Sequence, residues 1–175
     1  MEVEVLRLTH RYVRDERITT HLFLTARAFG ASKVIYTGQR DEKMEGKISE
    51  ITKKWGGIFT VKYEKDWKQQ IMRWKAEKGE VIHLTFYGLP TQNVIQKIRE
   101  SKKKKLIIVG GTKVPRIIYR LSDWNVSVTS QPHSEISALS VFLHELFKGK
   151  ELSKVFKNAK LEIIPQSRGK KIVEV

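Results

Sequence analysis

The residues best suited to hold a ligand lie in two turns of the last third of the chain. The apolar run Leu106-Ile107-Ile108-Val109 passes into Gly110-Gly111-Thr112-Lys113-Val114-Pro115. A second apolar run, Trp124-Asn125-Val126-Ser127-Val128, passes into Thr129-Ser130-Gln131-Pro132-His133-Ser134-Glu135. Glycine lacks the Cβ that would hold a ligand off the main chain, and the N–H groups that follow can donate. Two such turns at strand ends make a crevice, which is where open α/β sheets take small ligands. Each turn also has a plainer reading. A Gly-Gly after a strand is an ordinary βα turn. Ser134 and Glu135 stand where a helix start wants an N-cap oxygen and an acid. Capping does not need His133. The glycine turn is neither a Walker loop nor GxGxxG, because its spacing is too short and no Gly-Lys-Ser/Thr occurs.

A third cluster is His10-Arg11-Tyr12-Val13-Arg14-Asp15-Glu16-Arg17-Ile18-Thr19-Thr20-His21. Arginine forks suit phosphate oxygens, and a tyrosine can stack on a base. The competing reading is a solvated charged loop, although this cluster uses arginine where the rest of the chain uses lysine. The run Lys102-Lys103-Lys104-Lys105 offers non-specific phosphate contacts, or simply a helix end that welcomes cations. His83, inside an apolar strand, and His144, inside an apolar helix, read as structural histidines. No HExxH, paired-carboxylate or GxSxG pattern supports a metal site, a glycosidase or a hydrolase.

These residues are carried by strands and helices that alternate along almost the whole chain. Strands are read at Val3–Leu8, Val34–Thr37, Ile58–Val61, Val81–Phe86, Leu106–Val109 and around Val126. Helices are read at Arg17–Ala28, through Met44, Ile48, Ile51 and Trp55, and through Trp67, Ile71 and Trp74. Three more follow, from Thr91, around Val114–Leu121 and from Ser134 to Phe147. This alternation implies an α/β fold with a mostly parallel sheet and helices on both faces. The Ser134–Phe147 helix is apolar around so much of its circumference that it is buried on more than one side, in the core or at a subunit contact. Residues 1–150 read as one domain and 151–175 as a basic extension with a helical stub and one or two edge strands.

Composition narrows the partners. The 175 residues include 34 Lys and Arg against 19 Asp and Glu, a formal charge of +15. That excess suits nucleic acid or an anionic membrane surface, and nucleic acid fits better. The chain has no cysteine, which excludes disulfides, thiolate metal sites and a cysteine nucleophile. No apolar run approaches the ~20 residues of a membrane helix. A cytoplasmic protein without membrane or metal partners is expected.

Four segments together resemble a known family. They are Thr9-His10-Arg11 through Arg17-Ile18-Thr19-Thr20-His21, Leu24 through Ala31, Val109 through Pro115, and Asp123 through Glu135. They are similar to the archaeal tRNA (cytidine(56)-2′-O)-methyltransferases of the SPOUT superfamily, from the first strand to about Gly149. The resemblance implies a homodimer, a deep trefoil knot in the C-terminal half and S-adenosylmethionine as methyl donor. It places the cofactor loops at Leu84 and its neighbours, at Gly110, Gly111, Thr112, Lys113 and Val114, and at Val128, Thr129, Ser130, Gln131, Pro132, His133, Ser134 and Glu135. The broader SpoU branch carries an arginine five residues before the Phe-Gly of the first helix, where this chain has Leu24. Arg17 or Arg14 is therefore expected to supply that charge, with His21 as candidate base. RNA contacts are expected from Arg11, Arg14, Lys102 and Lys103. The competing functions are a non-catalytic RNA-binding module and a nucleotide-binding enzyme of another class.

Overall fold

Six strands build one parallel sheet in a computed structural model that describes residues 1–111 and 113–175. They are β1 (Val3–His10), β2 (Lys33–Gly38), β3 (Thr60–Tyr63), β4 (Glu80–Pro90), β5 (Lys105–Val109) and β6 (Trp124–Ser127). Their order is β3-β2-β1-β5-β4-β6, and every neighbouring pair runs parallel. The helices are α1 (Tyr12–Ala28), α2 (Glu42–Trp55), α3 (Trp67–Ala76), α4 (Thr91–Glu100), α5 (Arg116–Leu121) and α6 (Glu135–Phe147).

Strand side chains alternate between the two faces, so consecutive apolar residues feed two cores. Val5, Ile107 and Ile82 pack with Leu22, Met44, Val94 and Phe142, which places α1, α2, α4 and α6 on one face. Leu6, Ile108 and Val81 pack with Ile71, Trp74 and Ile118, which places α3 and α5 on the other. Burial on both faces explains why the strands read as near-continuous apolar runs.

Some boundaries move from the sequence reading. Helix α1 begins at Tyr12 rather than Arg17, because Asp15 accepts from the Arg11 backbone N–H (3.1 Å) and from its guanidinium (2.9 and 3.0 Å), closing the first turn. Strand β3 begins at Thr60 rather than Ile58, since Gly56 and Gly57, at φ +73° and +84°, make the turn first. The tail forms no edge strand of the main sheet. β7 (Leu161–Ile163) and β8 (Ile172–Glu174) pair antiparallel with each other instead. The segment before them docks on the Gly56–Gly57 turn. Phe156 sits against Gly57, the Arg27 guanidinium lies 4.9 Å from the Phe156 ring centroid, and Gly57 N–H donates to Lys157 O at 2.7 Å.

A parallel sheet gathers all its carboxyl ends on one side. The Gly110 and Gln131 turns and the start of α1 share that side. The lysine run precedes β5 and lies at the opposite end. Lys102 and Lys103 are exposed there. Lys105 is fully buried, so unlike the rest of the run it offers no phosphate contact: its ammonium bonds Glu80 Oε2 (2.5 Å) and Ser101. Burial pushes the Glu80 carboxyl up, but hydrogen bonds from Lys105, Trp124 and Ser101 outweigh it and hold the group below the usual range. No helix among the described residues is long and apolar enough to cross a membrane.

Candidate active site

The carboxyl ends of β4, β5 and β6 surround a cavity of about 740 Å³, within the range of small-molecule sites. Leu84, Val109, Val114, Val126, Val128 and Ala138 give it an apolar wall, and Gly110 and Gly111 bring bare backbone to its edge. The three turns expected to meet do meet here. Leu84, Gly110, Gly111, Lys113, Val114, Val128, His133 and Glu135 line the cavity. Thr129, Ser130, Gln131, Pro132 and Ser134 do not, and their turn contributes only His133 and Glu135. Ser134 serves as N-cap of α6, accepting from Ile136 N–H at 3.1 Å. Thr112 lies outside the described residues.

Gly110 is required by packing. A Cβ there would collide with Val114 Cγ2, so the loop closes on Val114 only because residue 110 has none. Beside it, Glu135 opens α6, where the helix dipole favours a negative charge. Glu135 is the one carboxylate among the described lining residues.

Sequence reasoning missed the group that holds this corner. Arg7 comes from β1 and is 2% exposed. Its Nη1 donates to Gly110 O at 2.6 Å and stands 3.5 Å from Glu135 Oε1. Burial pulls the guanidinium down from its ordinary value, while Glu135 and Asp15 oppose that. An arginine within the apolar run Val3-Glu4-Val5-Leu6-Arg7-Leu8 was the available signal. A central strand of a parallel sheet has no solvated face, so a charge there must find a partner.

The cavity also has a polar side that the sequence did not single out. His83 Nδ1 lies 3.0 Å from Asn125 Oδ1, and Asn125 Nδ2 donates to Tyr119 O at 2.9 Å. The Asn125 oxygen is therefore the acceptor, and His83 Nδ1 carries the proton. The His83 ring meets Tyr119 edge-on at 4.7 Å, and burial lowers its pKa. At the mouth, Phe86 packs edge-on against His133 at 4.9 Å, and Tyr87 is 85% exposed.

The expected catalytic residues do not line this cavity. Arg14, Arg17 and His21 recur at helical spacing on one exposed stripe of α1. Neither arginine has an ion-pair partner among the described residues. Leu24 packs against the core, so no charge comes from the position where the SpoU branch has one. Arg11 is tied to Asp15 but keeps its side chain 43% exposed. No group of three or more His, Asp or Glu is placed to hold a metal ion among the described residues.

The fold is similar to that of solved SpoU-type methyltransferases. It superposes on the Aquifex aeolicus TrmH/SpoU tRNA modifying enzyme with a TM-score of 0.65 at 15% identity, covering 87% of this chain and 77% of that one. The SpoU methyltransferase AviRb from Streptomyces viridochromogenes, in complex with the cofactor AdoMet, gives 0.63 at 15% identity, over 85% and 58%. Sequence narrows the class to one family. The family model described as tRNA ribose 2′-O-methyltransferase, aTrm56, matches residues 55–173. The tRNA (cytidine(56)-2′-O)-methyltransferase of Methanothermobacter thermautotrophicus is 52% identical over 175 residues, covering 100% of this chain and 98% of that protein. Its counterpart in Pyrococcus horikoshii is 48% identical, over 99% and 85%. The chain belongs to the aTrm56 family of tRNA ribose 2′-O-methyltransferases.

Proposed function

We propose that this protein methylates the ribose 2′-oxygen of cytidine 56 in tRNA, using S-adenosylmethionine, in the cytoplasm. The observation that carries the reading is the cavity at the carboxyl ends of β4, β5 and β6. Its apolar wall suits an adenosyl group, and the one carboxylate among its described lining residues suits a cationic ligand. When bound there, S-adenosylmethionine supplies a methyl group activated on a sulfonium sulfur. Gly110 and Gly111 offer their backbone to it, and Glu135 faces its charge.

The chain's own residues must then present the ribose. Methyl transfer needs the attacking oxygen at about 3 Å from the methyl carbon and in line with the bond that breaks. Arg17, with Arg14 as alternative, orients the target phosphate or hydroxyl. His21 accepts the hydroxyl proton, as general bases do. Arg11 and Arg14 hold RNA phosphates at this end of the molecule, and Lys102 and Lys103 offer weaker contacts at the other.

A homodimer brings these groups together. The arginine stripe lies outside the lining of its own cavity, and exposed apolar residues lie near it: Tyr12, Val13 and Ile18 on α1, with Val141 on the adjacent α6. Such a patch suits a second copy across a two-fold axis. The partner's arginine stripe would then reach this protomer's cavity. Residues 1–150 form the methyltransferase domain, with 151–175 a basic extension docked through Phe156. The trefoil knot belongs to the same proposal: β6 lies beyond β4, so the chain leaving β5 must cross β4 before α6 returns.

The test is incubation of unmodified tRNA transcript with labelled donor, followed by mapping of the modified ribose. Label on the 2′-oxygen of cytidine 56 is expected, and absence of transfer overturns the reading. Mixing an Arg17→Ala protomer with a Gly110→Val protomer tests the shared site. Each alone is expected to be inactive, and the mixture active. An inactive mixture of two well-folded, dimerising variants removes the partner from the mechanism.

A further inference from the structure

We propose that Glu135, positioned by Arg7, is the residue that discriminates the sulfonium substrate from its thioether product. The inference rests on the cavity being the S-adenosylmethionine site, and it says what one side chain does there.

Methyl transfer forms an O–C bond to the ribose and breaks the C–S bond. The electron pair of that bond returns to sulfur, and the ribose hydroxyl proton leaves to a base. The nucleoside ligand therefore enters with a positive sulfur and leaves with a neutral one. Its adenine, its ribose and its amino-acid end are otherwise unchanged. Apolar walls and backbone amides recognise those shared parts and hold substrate and product alike. Only a group that responds to charge at sulfur can tell the two apart.

Among the described lining residues, Glu135 is the one carboxylate. Two features position it. It occupies the first turn of the 13-residue helix α6, where unpaired N–H groups favour an anion. Arg7 stands behind it, on the core side, with a side chain 3% exposed against 33% for Glu135. The pair is a dipole with its negative end toward the cavity. Arg7 leaves one oxygen of the carboxylate free. Its closer bond is to Gly110 O at 2.6 Å, its approach to Glu135 Oε1 is 3.5 Å, and Glu135 Oε2 has no hydrogen-bond partner among the described residues. With only a third of its side chain exposed, such a carboxylate attracts a nearby cation more strongly than a fully solvated one would. The same arrangement gives the neutral product no such hold, which speeds its release.

Calorimetry on the full-length protein decides the matter, with S-adenosylmethionine, S-adenosylhomocysteine and sinefungin as probes. Sinefungin carries a protonated amine on the carbon that replaces sulfur. Glu135→Gln keeps the shape of the side chain and its acceptor toward Arg7. It is expected to weaken S-adenosylmethionine and sinefungin about tenfold while leaving S-adenosylhomocysteine within about twofold. A circular-dichroism melt within a few degrees of the parent confirms that the variant is folded. Arg7→Lys, which keeps the charge but not the fork, is expected to shift the substrate-to-product affinity ratio the same way by a smaller factor. Equal weakening of all three probes by Glu135→Gln, or no change in any, overturns the proposal while leaving the cofactor site standing. A parent protein that binds none of the three overturns the site itself.

Discussion

Arg7 Nη1 donates to the carbonyl oxygen of Gly110 at 2.6 Å, joining the first strand to the loop after β5 across 103 residues of chain. The same guanidinium reaches toward Glu135 at the start of α6. One buried side chain thus holds two of the three segments that frame the cavity. Replacing Arg7 with alanine is expected to cost about 1.5–3 kcal/mol in urea unfolding, the scale for a hydrogen bond made by a charged group. Cofactor affinity is expected to fall at least tenfold. An Arg7→Ala protein that binds the cofactor normally would show that the loop holds its shape unaided.

Arg17 lies on the exposed stripe of α1 and is not among the residues that line the cavity of its own chain. Arg17→Ala is therefore expected to leave the cofactor Kd within about twofold, because it touches none of the lining, yet to collapse turnover by the 10²- to 10³-fold typical of losing a charge that acts at the reacting group. Single-turnover methylation alongside calorimetry separates the two effects. If turnover survives, Arg14→Ala is the variant to measure next.

Gly110→Ala is expected to weaken cofactor binding, because the added methyl meets Val114 Cγ2 and the loop must open. The double change Gly110→Ala, Val114→Ala makes room for it. Recovery of most of the lost affinity in the double variant identifies the collision as the cause. Equal losses in the single and double variants point to a direct need for the bare backbone.

Stability should fall on acidification through the histidine range. His10 is fully buried, with Nδ1 3.0 Å from Thr19 Oγ1 and Nε2 3.5 Å from Asp41. Burial lowers its pKa, with Asp41 and Asp15 opposing, and burial lowers that of His83 as well. Below about pH 6.5 the unfolded chain takes up protons at both rings while the native state stays neutral, so unfolding gains. The contribution is fully present above pH 6.5 and is lost as pH falls toward the depressed native values. Urea midpoints measured from pH 7.5 to 5 should drop. The drop should shrink in His83→Gln.

Affinity for tRNA should fall steeply with salt, by a slope of about 0.7–0.9 per phosphate contact on logarithmic axes. Arg11→Glu with Arg14→Glu should reduce that slope more than Lys102→Glu with Lys103→Glu, since the first pair shares the end of the sheet with the cavity. Filter binding across a salt series measures both, and a salt-insensitive affinity would remove phosphate contacts from the account.

The layers of this fold were legible in the chain because each depends on local pattern. Consecutive apolar residues such as Ile107-Ile108 mark a strand covered on both faces, and the four-residue steps from Met44 to Ile48 mark a helix. Gly110-Gly111 and His133 stood out because turns at strand ends need few residues and little context. The boundaries that moved did so through side chains acting back on the backbone, as Asp15 does on Arg11. The tail was misread for a similar reason: short polar strands do not say whether they join a sheet or pair with each other.

By itself, the sequence determined the alternation of strands and helices, the two cores and the turns that could bare their backbone to a ligand, because periodicity and turn chemistry act over a few residues. Only the tertiary structure decided that Arg7 sits beneath the Gly110 loop, that Lys105 is buried against Glu80, and that Arg14, Arg17 and His21 do not line their own cavity. Those facts depend on which strands become neighbours and which face each helix covers. The pairing of β1 with β5, across about a hundred residues, is a global outcome of packing that no local spacing encodes.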